Sequence, residues 1–257
     1  MIGKEINNIG KVSLHSGEEK YVCPASNDEL FILDGDFETN FNFTGEKVNS
    51  KEVKFLLPIP PGKFIGIGRN FPGEETGKES QFPNFFVKTA NALSPHLADV
   101  TLPYIFGSSI AEGELGVIIA KKAKNIKVQE VQQYILGYSA ICDLSGRDFI
   151  DGDVNAPVAV KKSCDGFAPI GPFININPLI RSFSIQTLVD DREVQFGSSN
   201  DMIYSIEKCI SYISSLMTLE PYDIISMGTP NPKPTIKKGQ TVKVIISEMP
   251  PLLFTLK

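Results

Sequence analysis

The sequence predicts a mainly β protein with some helix. Short apolar runs bounded by Gly, Pro, Asn or Asp recur along the whole chain, only one segment carries a long helical stripe, and no alternation of strands with helices is sustained. With 257 residues, 42% hydrophobic and 21% charged, the composition is that of an ordinary globular protein, sufficient for one large domain or a large one plus a small one.

Residues 1–56 read as short strands. The run 29–34 leads into Gly35-Asp36, a hairpin signal, with Phe37, Phe41 and Phe43 beyond. The segment Leu57-Pro-Ile-Pro-Pro-Gly62 is a stiff connector, and a boundary there separates a small N-terminal β domain, 1–56, from a larger domain, 57–257. Residues 64–68 form a short apolar strand. The polar stretch 72–81 contains two glycines and reads as a mobile lid or as an ordinary surface loop. Val128, Val131 and Ile135 fit one face of a short helix ended by Gly137. Met202, Ile203, Ile206, Cys209, Ile210, Ile213, Leu216 and Met217 recur at helical spacing, with residues 198–201 as the N-cap region; this stripe is core. The runs 224–225, 242–246 and 252–254 read as strands.

A net charge of −5 leaves no basic surface for nucleic acid or acidic membranes. No apolar run approaches the ~20 residues of a membrane span, and the first residues lack the apolar centre of a signal peptide, so a cytoplasmic protein is expected. Cys23, Cys142, Cys164 and Cys209 form no Cys-x-x-Cys pair. With only His15 and His96 available, a zinc site of imidazoles is not expected.

The chemistry concentrates in acidic residues embedded in apolar strands. Glu112 and Glu114, in Ile-Ala-Glu-Gly-Glu-Leu-Gly-Val-Ile-Ile, are two apart and therefore share a strand face. Asp143 follows the apolar run 138–142. A Glu-x-Glu pair alone is usually a wet face. Carboxylates inside core-like strands need partners, and three of them together suit a hard divalent ion: Mg²⁺ or Mn²⁺, with Ca²⁺ also compatible. Cys142, next to Asp143, should turn to the opposite face.

Four segments carry a resemblance: Glu-Gly-Glu-Leu-Gly-Val-Ile-Ile-Ala-Lys, Leu-Gly-Tyr-Ser-Ala-Ile-Cys-Asp-Leu-Ser-Gly-Arg-Asp, Lys-Lys-Ser-Cys-Asp-Gly-Phe-Ala-Pro-Ile-Gly-Pro-Phe and Leu-Glu-Pro-Tyr-Asp-Ile-Ile-Ser-Met-Gly-Thr-Pro. In order and spacing they resemble the fumarylacetoacetate hydrolase family. Gly66-Ile67-Gly68-Arg69-Asn70-Phe71 and Phe85-Phe86-Val87-Lys88 are similar to two further motifs of that family, and the likeness spans residues 60–257.

The resemblance implies a rolled mixed β-sandwich, a homodimer, and a divalent-metal enzyme acting on a small 2-oxo acid through a metal-bound enolate. Decarboxylation, enol–keto isomerisation and sugar-acid dehydration all fit. The alternatives are C–C hydrolysis of an acylpyruvate or fumarylacetoacetate, and a catalytically weak metal- or metabolite-binding member. It assigns Glu112, Glu114 and Asp143 to the metal and Lys162 to catalysis; Arg69, Lys88, Gln195 and Thr229 become substrate contacts, and Arg147 a support for a site carboxylate. Hydrolytic members carry a histidine after the Asn-Tyr motif and a glutamate three residues later. Here Glu74 and Gly77 stand in those places, so Glu74 is the remaining candidate base and acylpyruvate hydrolysis is disfavoured. Asp190-Asp191 replaces the family's Asn-Gly hairpin turn.

Overall fold

Alternating side chains in the first fifty residues generate an antiparallel meander: β1 (Asn8–Ser13), β2 (Glu19–Ser26), β3 (Glu29–Asp34) and β4 (Asn42–Asn49), with the two-residue β5 (Lys54–Phe55) on the other edge of β1. The computed structural model describes residues 6–26, 28–73, 81–152, 156–177, 182–247 and 249–257. Beyond the Pro-rich connector follow β6 (Phe64–Gly68), β7 (Asn84–Lys88), β8 (Leu93–Ser94), β9 (Ala98–Val100), β10 (Phe106–Ile119), β11 (Ile135–Phe149), β12 (Ala168–Pro169) and β13 (Phe173–Asn175). The last part of the chain supplies β14 (Ser184–Val189), β15 (Arg192–Ser198), β16 (Ile224–Ser226), β17 (Thr235–Ile236), β18 (Thr241–Ile246) and β19 (Leu252–Leu256). Two α-helices are described, α1 (Val158–Lys162) and α2 (Ile206–Leu216).

The strands form a mainly β, sandwich-like fold. A large sheet runs β4-β3-β2-β1-β13-β11-β10-β16-β6-β7, and a second runs β15-β14-β18-β19-β9. The N-terminal meander joins the large sheet through β1, which pairs with β13 from Asn8↔Asn175 to Gly10↔Phe173. At its centre, β10 and β11 pair along nearly their whole lengths. Side-chain alternation divides this pair cleanly. Leu115, Val117, Cys142 and Leu144 pack into the main core with Val244, Ile246 and Phe254 of the second sheet, whereas Ile118 and Ile141 pack on the opposite face with Phe64 and Ala168. Burying apolar area on both faces fixes the register, since a one-residue slip would invert every side chain. No helix among the described residues is long and apolar enough to cross a membrane.

Two helical expectations are corrected. Residues 128–134 form a 3₁₀ helix, and Ile135 and Gly137 already belong to β11, because the backbone turns extended at Ile135. The long helix begins after Ser205, whose side chain accepts from Lys208 N at 3.2 Å. Ser198 does cap, but it caps the separate 3₁₀ turn Ser199–Asp201, which leaves Met202 and Ile203 outside the helix. Cys209, Ile210 and Ile213 are fully buried, as the stripe requires. In the β14–β15 hairpin Asp190 and Asp191 take φ of +50° and +61°, the left-handed pair of a tight turn.

Candidate active site

The β10–β11 register places Glu112 directly opposite Asp143, and Glu114 one step along on the diagonal. All three point away from the second sheet, and they are buried: 6%, 3% and 1% exposed for Glu112, Glu114 and Asp143. Cys142 turns the other way, into the main core. The glycine between the glutamates is required by that same alternation. A Cβ on Gly113 would lie 2.2 Å from Thr187 Oγ1 and 3.3 Å from Gln195 Oε1, which pack against the back of β10.

Three lysines converge on these carboxylates. Lys88, at the end of β7, is fully buried; its Nζ lies 2.5 Å from Asp143 Oδ1 and donates to Leu144 O at 3.0 Å and to Phe167 O. That contact pairs two fully buried charges. Lys162, the last residue of α1, lies over the Phe86 ring at 4.6 Å and bridges Glu112 Oε2, at 2.6 Å, and Asp143 Oδ2. Lys233 reaches Glu112 Oε1 at 2.9 Å.

Glu114 has neutral partners instead. Ser226 Oγ donates to its Oε2 at 2.6 Å and Gly228 N at 2.8 Å. The chain after β16 tracks back along β10, which delivers these groups in order. Met227 N bonds Leu115 O at 2.9 Å, Thr229 Oγ1 bonds Gly113 O at 2.9 Å, and Pro234 O accepts from Ala111 N at 2.9 Å. Gly228 has φ of +88°, and a Cβ there would meet Asn70 Cβ and Ile67 O at 3.0 Å, so glycine is needed for this close approach.

The electrostatics follow from these neighbours. Burial works against a charge on Asp143, but Lys162 and Lys88 outweigh it and hold the carboxyl below its ordinary range. Lys162 is raised: burial opposes its charge, and Asp143 and Glu112 prevail. Burial, then the charges of Asp143 and Glu112, push Glu114 up to about 8, against the Ser226 hydrogen bond and Lys162.

Among the described residues no three acidic, Cys or His side chains are grouped so as to hold an ion as they stand, and the Lys162 ammonium bridges Glu112 and Asp143. That ammonium is a stand-in cation on two of the three expected ligands. An all-carboxylate donor set suits a hard divalent ion. The residues present therefore fit such an ion once Lys162 gives way.

Several sequence expectations change. Lys88, expected as a substrate contact, is fully buried behind Asp143 with its ammonium held by protein oxygens. Gln195 is likewise committed: it donates to Thr229 Oγ1 at 2.9 Å, Pro230 O at 2.5 Å and Pro232 O at 2.9 Å, and accepts from Thr187 Oγ1 at 2.7 Å. It clamps the 229–232 turn, and the Thr229 hydroxyl is occupied between Gln195 and Gly113 O. Arg69 is exposed with φ of +60°, whereas its neighbour Asn70 is buried and bonded to Tyr204 and Met227. Arg147 is exposed and pairs with no site carboxylate among the described residues; four strand positions past Asp143 is roughly 13 Å away. Asp148 instead accepts from Ser108 Oγ at 2.5 Å. Glu74 lies outside the described residues. Sequence reasoning missed Lys233 and Ser226, although Ser226 stands in the segment Ile-Ile-Ser-Met-Gly-Thr-Pro.

Residues 63–257 match the family model described as fumarylacetoacetate (FAA) hydrolase C-terminal. The fumarylacetoacetate hydrolase domain-containing protein 2 homolog of Dictyostelium discoideum is 32% identical, over 84% of this chain and 78% of the relative. The mitochondrial oxaloacetate decarboxylase of the same organism is 33% identical, over 70% and 87%. The crystal structure of 5-carboxymethyl-2-hydroxymuconate delta-isomerase from Mycobacterium smegmatis superposes with a TM-score of 0.85 at 25% identity, covering 97% of this chain and 98% of that one.

Proposed function

Because the chain belongs to the fumarylacetoacetate hydrolase family of enzymes, we propose that it converts a small 2-oxo acid by decarboxylation, enol–keto isomerisation or sugar-acid dehydration, with a divalent cation held by Glu112, Glu114 and Asp143. The observation that carries the reading is the set of three buried carboxylates on one face of the β10–β11 pair, met among the described residues by side-chain ammoniums and neutral donors. Two relatives with a decarboxylase and an isomerase name support the reaction class.

Bound there, Mg²⁺ or Mn²⁺ would polarise the substrate carbonyl and stabilise the negative charge that develops on its oxygen. The protein's own groups do the rest. Lys88 fixes Asp143 from behind, Ser226 and Gly228 orient Glu114, and Gln195 holds the turn that carries Gly228 and Thr229. Lys162, held protonated by Asp143 and Glu112, brings a positive charge to the developing oxyanion. Its Phe86 contact keeps the side chain near the site when its carboxylate partners are drawn to another cation.

Residues 70–81 contain no histidine, which favours reactions without an attacking water over acylpyruvate hydrolysis. The decisive test pairs calorimetric titration of Mg²⁺ and Mn²⁺ with turnover of oxaloacetate, acetylpyruvate and enol substrates, with and without chelator. Expected are cation binding lost in Glu114→Ala, chelator-sensitive decarboxylation or tautomerisation, and acetylpyruvate cleavage lower by about 10² to 10⁴. Unchanged cation affinity in Glu114→Ala would sink the ligand assignment. Efficient acetylpyruvate cleavage abolished by Glu74→Gln would favour the hydrolase reading instead. We also propose a cytoplasmic homodimer, and light scattering giving a mass near 28.2 kDa would refute the dimer.

A further inference from the structure

We propose that Asn70 is a positioning residue that fixes the peptide unit between Met227 and Gly228 and, through it, the Glu114 carboxyl; the inference rests on the cation-site reading above and adds to it a residue that touches neither cation nor substrate.

Met227 O and Gly228 N belong to one planar trans peptide unit, so the carbonyl and the N–H point in opposite directions. Asn70 Nδ2 donates to Met227 O at 2.9 Å, and Gly228 N donates to Glu114 Oε2 at 2.8 Å. Asn70 therefore holds one end of a rigid plate whose other end meets Glu114. The two hydrogen bonds also polarise each other, because a donor on the carbonyl makes the N–H of the same peptide a better donor.

That plate needs holding. Gly228 has φ of +88°, and a glycine adopts positive and negative φ about equally readily, so the peptide before it turns easily. Half a turn would aim the Met227 carbonyl at Glu114, acceptor toward acceptor. Met227 N bonds Leu115 O, and Thr229 Oγ1 bonds Gly113 O. Both contacts fix the chain on either side; neither acts on the plane of this peptide.

Asn70 is itself immobilised. It is 1% exposed. Its Oδ1 accepts from Tyr204 N at 2.9 Å, its Nδ2 also donates to Tyr204 O at 3.2 Å, and its main-chain O accepts from Ile203 N at 2.9 Å. The side-chain amide thus uses both its donor hydrogens and its acceptor. A Cβ on Gly228 would lie 3.0 Å from Asn70 Cβ, so the two residues are packed directly together. Aspartate at this position would set an oxygen against the Met227 and Tyr204 carbonyls, and glutamine is one methylene longer than the space between them.

The test follows the Gly228 amide by NMR and Mn²⁺ binding by calorimetry, in wild type and Asn70→Ala. In metal-free Asn70→Ala the Gly228 amide should move upfield and exchange its hydrogen about tenfold faster. The amides of the central strand β18 should keep their wild-type protection, which separates loss of this one hydrogen bond from general loosening. Mn²⁺ affinity should fall by about tenfold to a hundredfold. Should Asn70→Ala fail to fold, Asn70→Ser carries the same readouts, and in wild type itself both Asn70 Nδ2 protons should be protected from exchange. Freely exchanging Nδ2 protons in wild type, an unmoved Gly228 amide in a folded variant, or unchanged Mn²⁺ affinity beside a moved one would each overturn the proposal and leave the cation reading intact. A wild type that binds no Mn²⁺ would overturn the cation reading instead, and the Gly228 amide of the metal-free protein would still decide whether Asn70 holds the peptide.

Discussion

Glu112 and Glu114 are two residues apart on one strand face, yet they belong to different electrostatic regions. Glu112 lies between two ammoniums, Lys162 and Lys233. Glu114 is met by a hydroxyl and a backbone N–H, and burial with the nearby Asp143 and Glu112 charges pushes it up to about 8. The lesson is that a shared face does not make equivalent ligands. Cationic neighbours crowd one end of the site, while at the neutral-donor end Glu114, pushed up to about 8, keeps a proton near neutral pH and would release it if a cation bound.

The largest expected effect lies at the point both regions share. Asp143→Ala removes the counter-ion of Lys88, whose side chain is fully buried, and should cost about 3–5 kcal/mol of stability together with all cation affinity. Denaturant unfolding of the metal-free protein measures it; a loss under about 1 kcal/mol would mean that Lys88 carries no charge there. Next come the two glutamates. In metal-free protein Glu112→Gln weakens two charge-assisted contacts and should cost about 1–3 kcal/mol, whereas Glu114→Gln should cost less than about 1 kcal/mol. The pH dependence separates them further. The folded-state value of Glu114 is raised from 4.5 to about 8, so its contribution to stability is fully present below pH 4.5 and is lost as pH rises through 8. Glu114→Gln should remove that decline. Mn²⁺ affinity of the wild type should rise over the same interval as the competing proton leaves. Equal pH profiles for wild type and Glu114→Gln would erase the distinction between the two ends.

How much of this was legible beforehand follows from the kind of contact involved. The shared face of Glu112 and Glu114 follows from strand periodicity alone, Asp143 stands out as a third carboxylate after an apolar run, and Lys162 comes from the motif resemblance. Their direct pairing, Glu112 opposite Asp143, needed the register of two strands joined by a long connection. Lys233 lies 121 residues beyond Glu112 and, within Asn-Pro-Lys-Pro, reads as a surface turn; only the return of residues 226–236 along β10 brings it home. Lys88 was read as a substrate contact because an isolated lysine in a motif gives no sign of how deeply it is buried. The late start of the long helix has a local cause: both Ser198 and Ser205 are competent caps, and the chain uses each for a different turn.

The smallest expected effect marks where the charged region ends. Arg147 and Lys162 follow Asp143 by four and nineteen positions, and the motif resemblance makes Arg147 a support for a site carboxylate. Strand geometry reverses this. Each residue advances roughly 3.3 Å, so Arg147 is carried to the exposed end of β11, opposite Ser108, while α1 folds Lys162 back over the carboxylates. An exposed charge with no ion pair to the site contributes little, and screening reduces it further. Arg147→Ala should therefore change stability by less than about 0.5 kcal/mol and leave Mn²⁺ affinity and turnover within about twofold of wild type. Lys162→Ala, measured beside it, should lose activity. In metal-free protein it should also leave the Glu112 and Asp143 carboxylates less well balanced, which denaturant unfolding would register as a loss of stability. A drop of tenfold or more in Mn²⁺ affinity for Arg147→Ala, about 1.4 kcal/mol, would show that the charged region extends along β11 past its buried part, and that the site is wider than the three carboxylates and three ammoniums that define it.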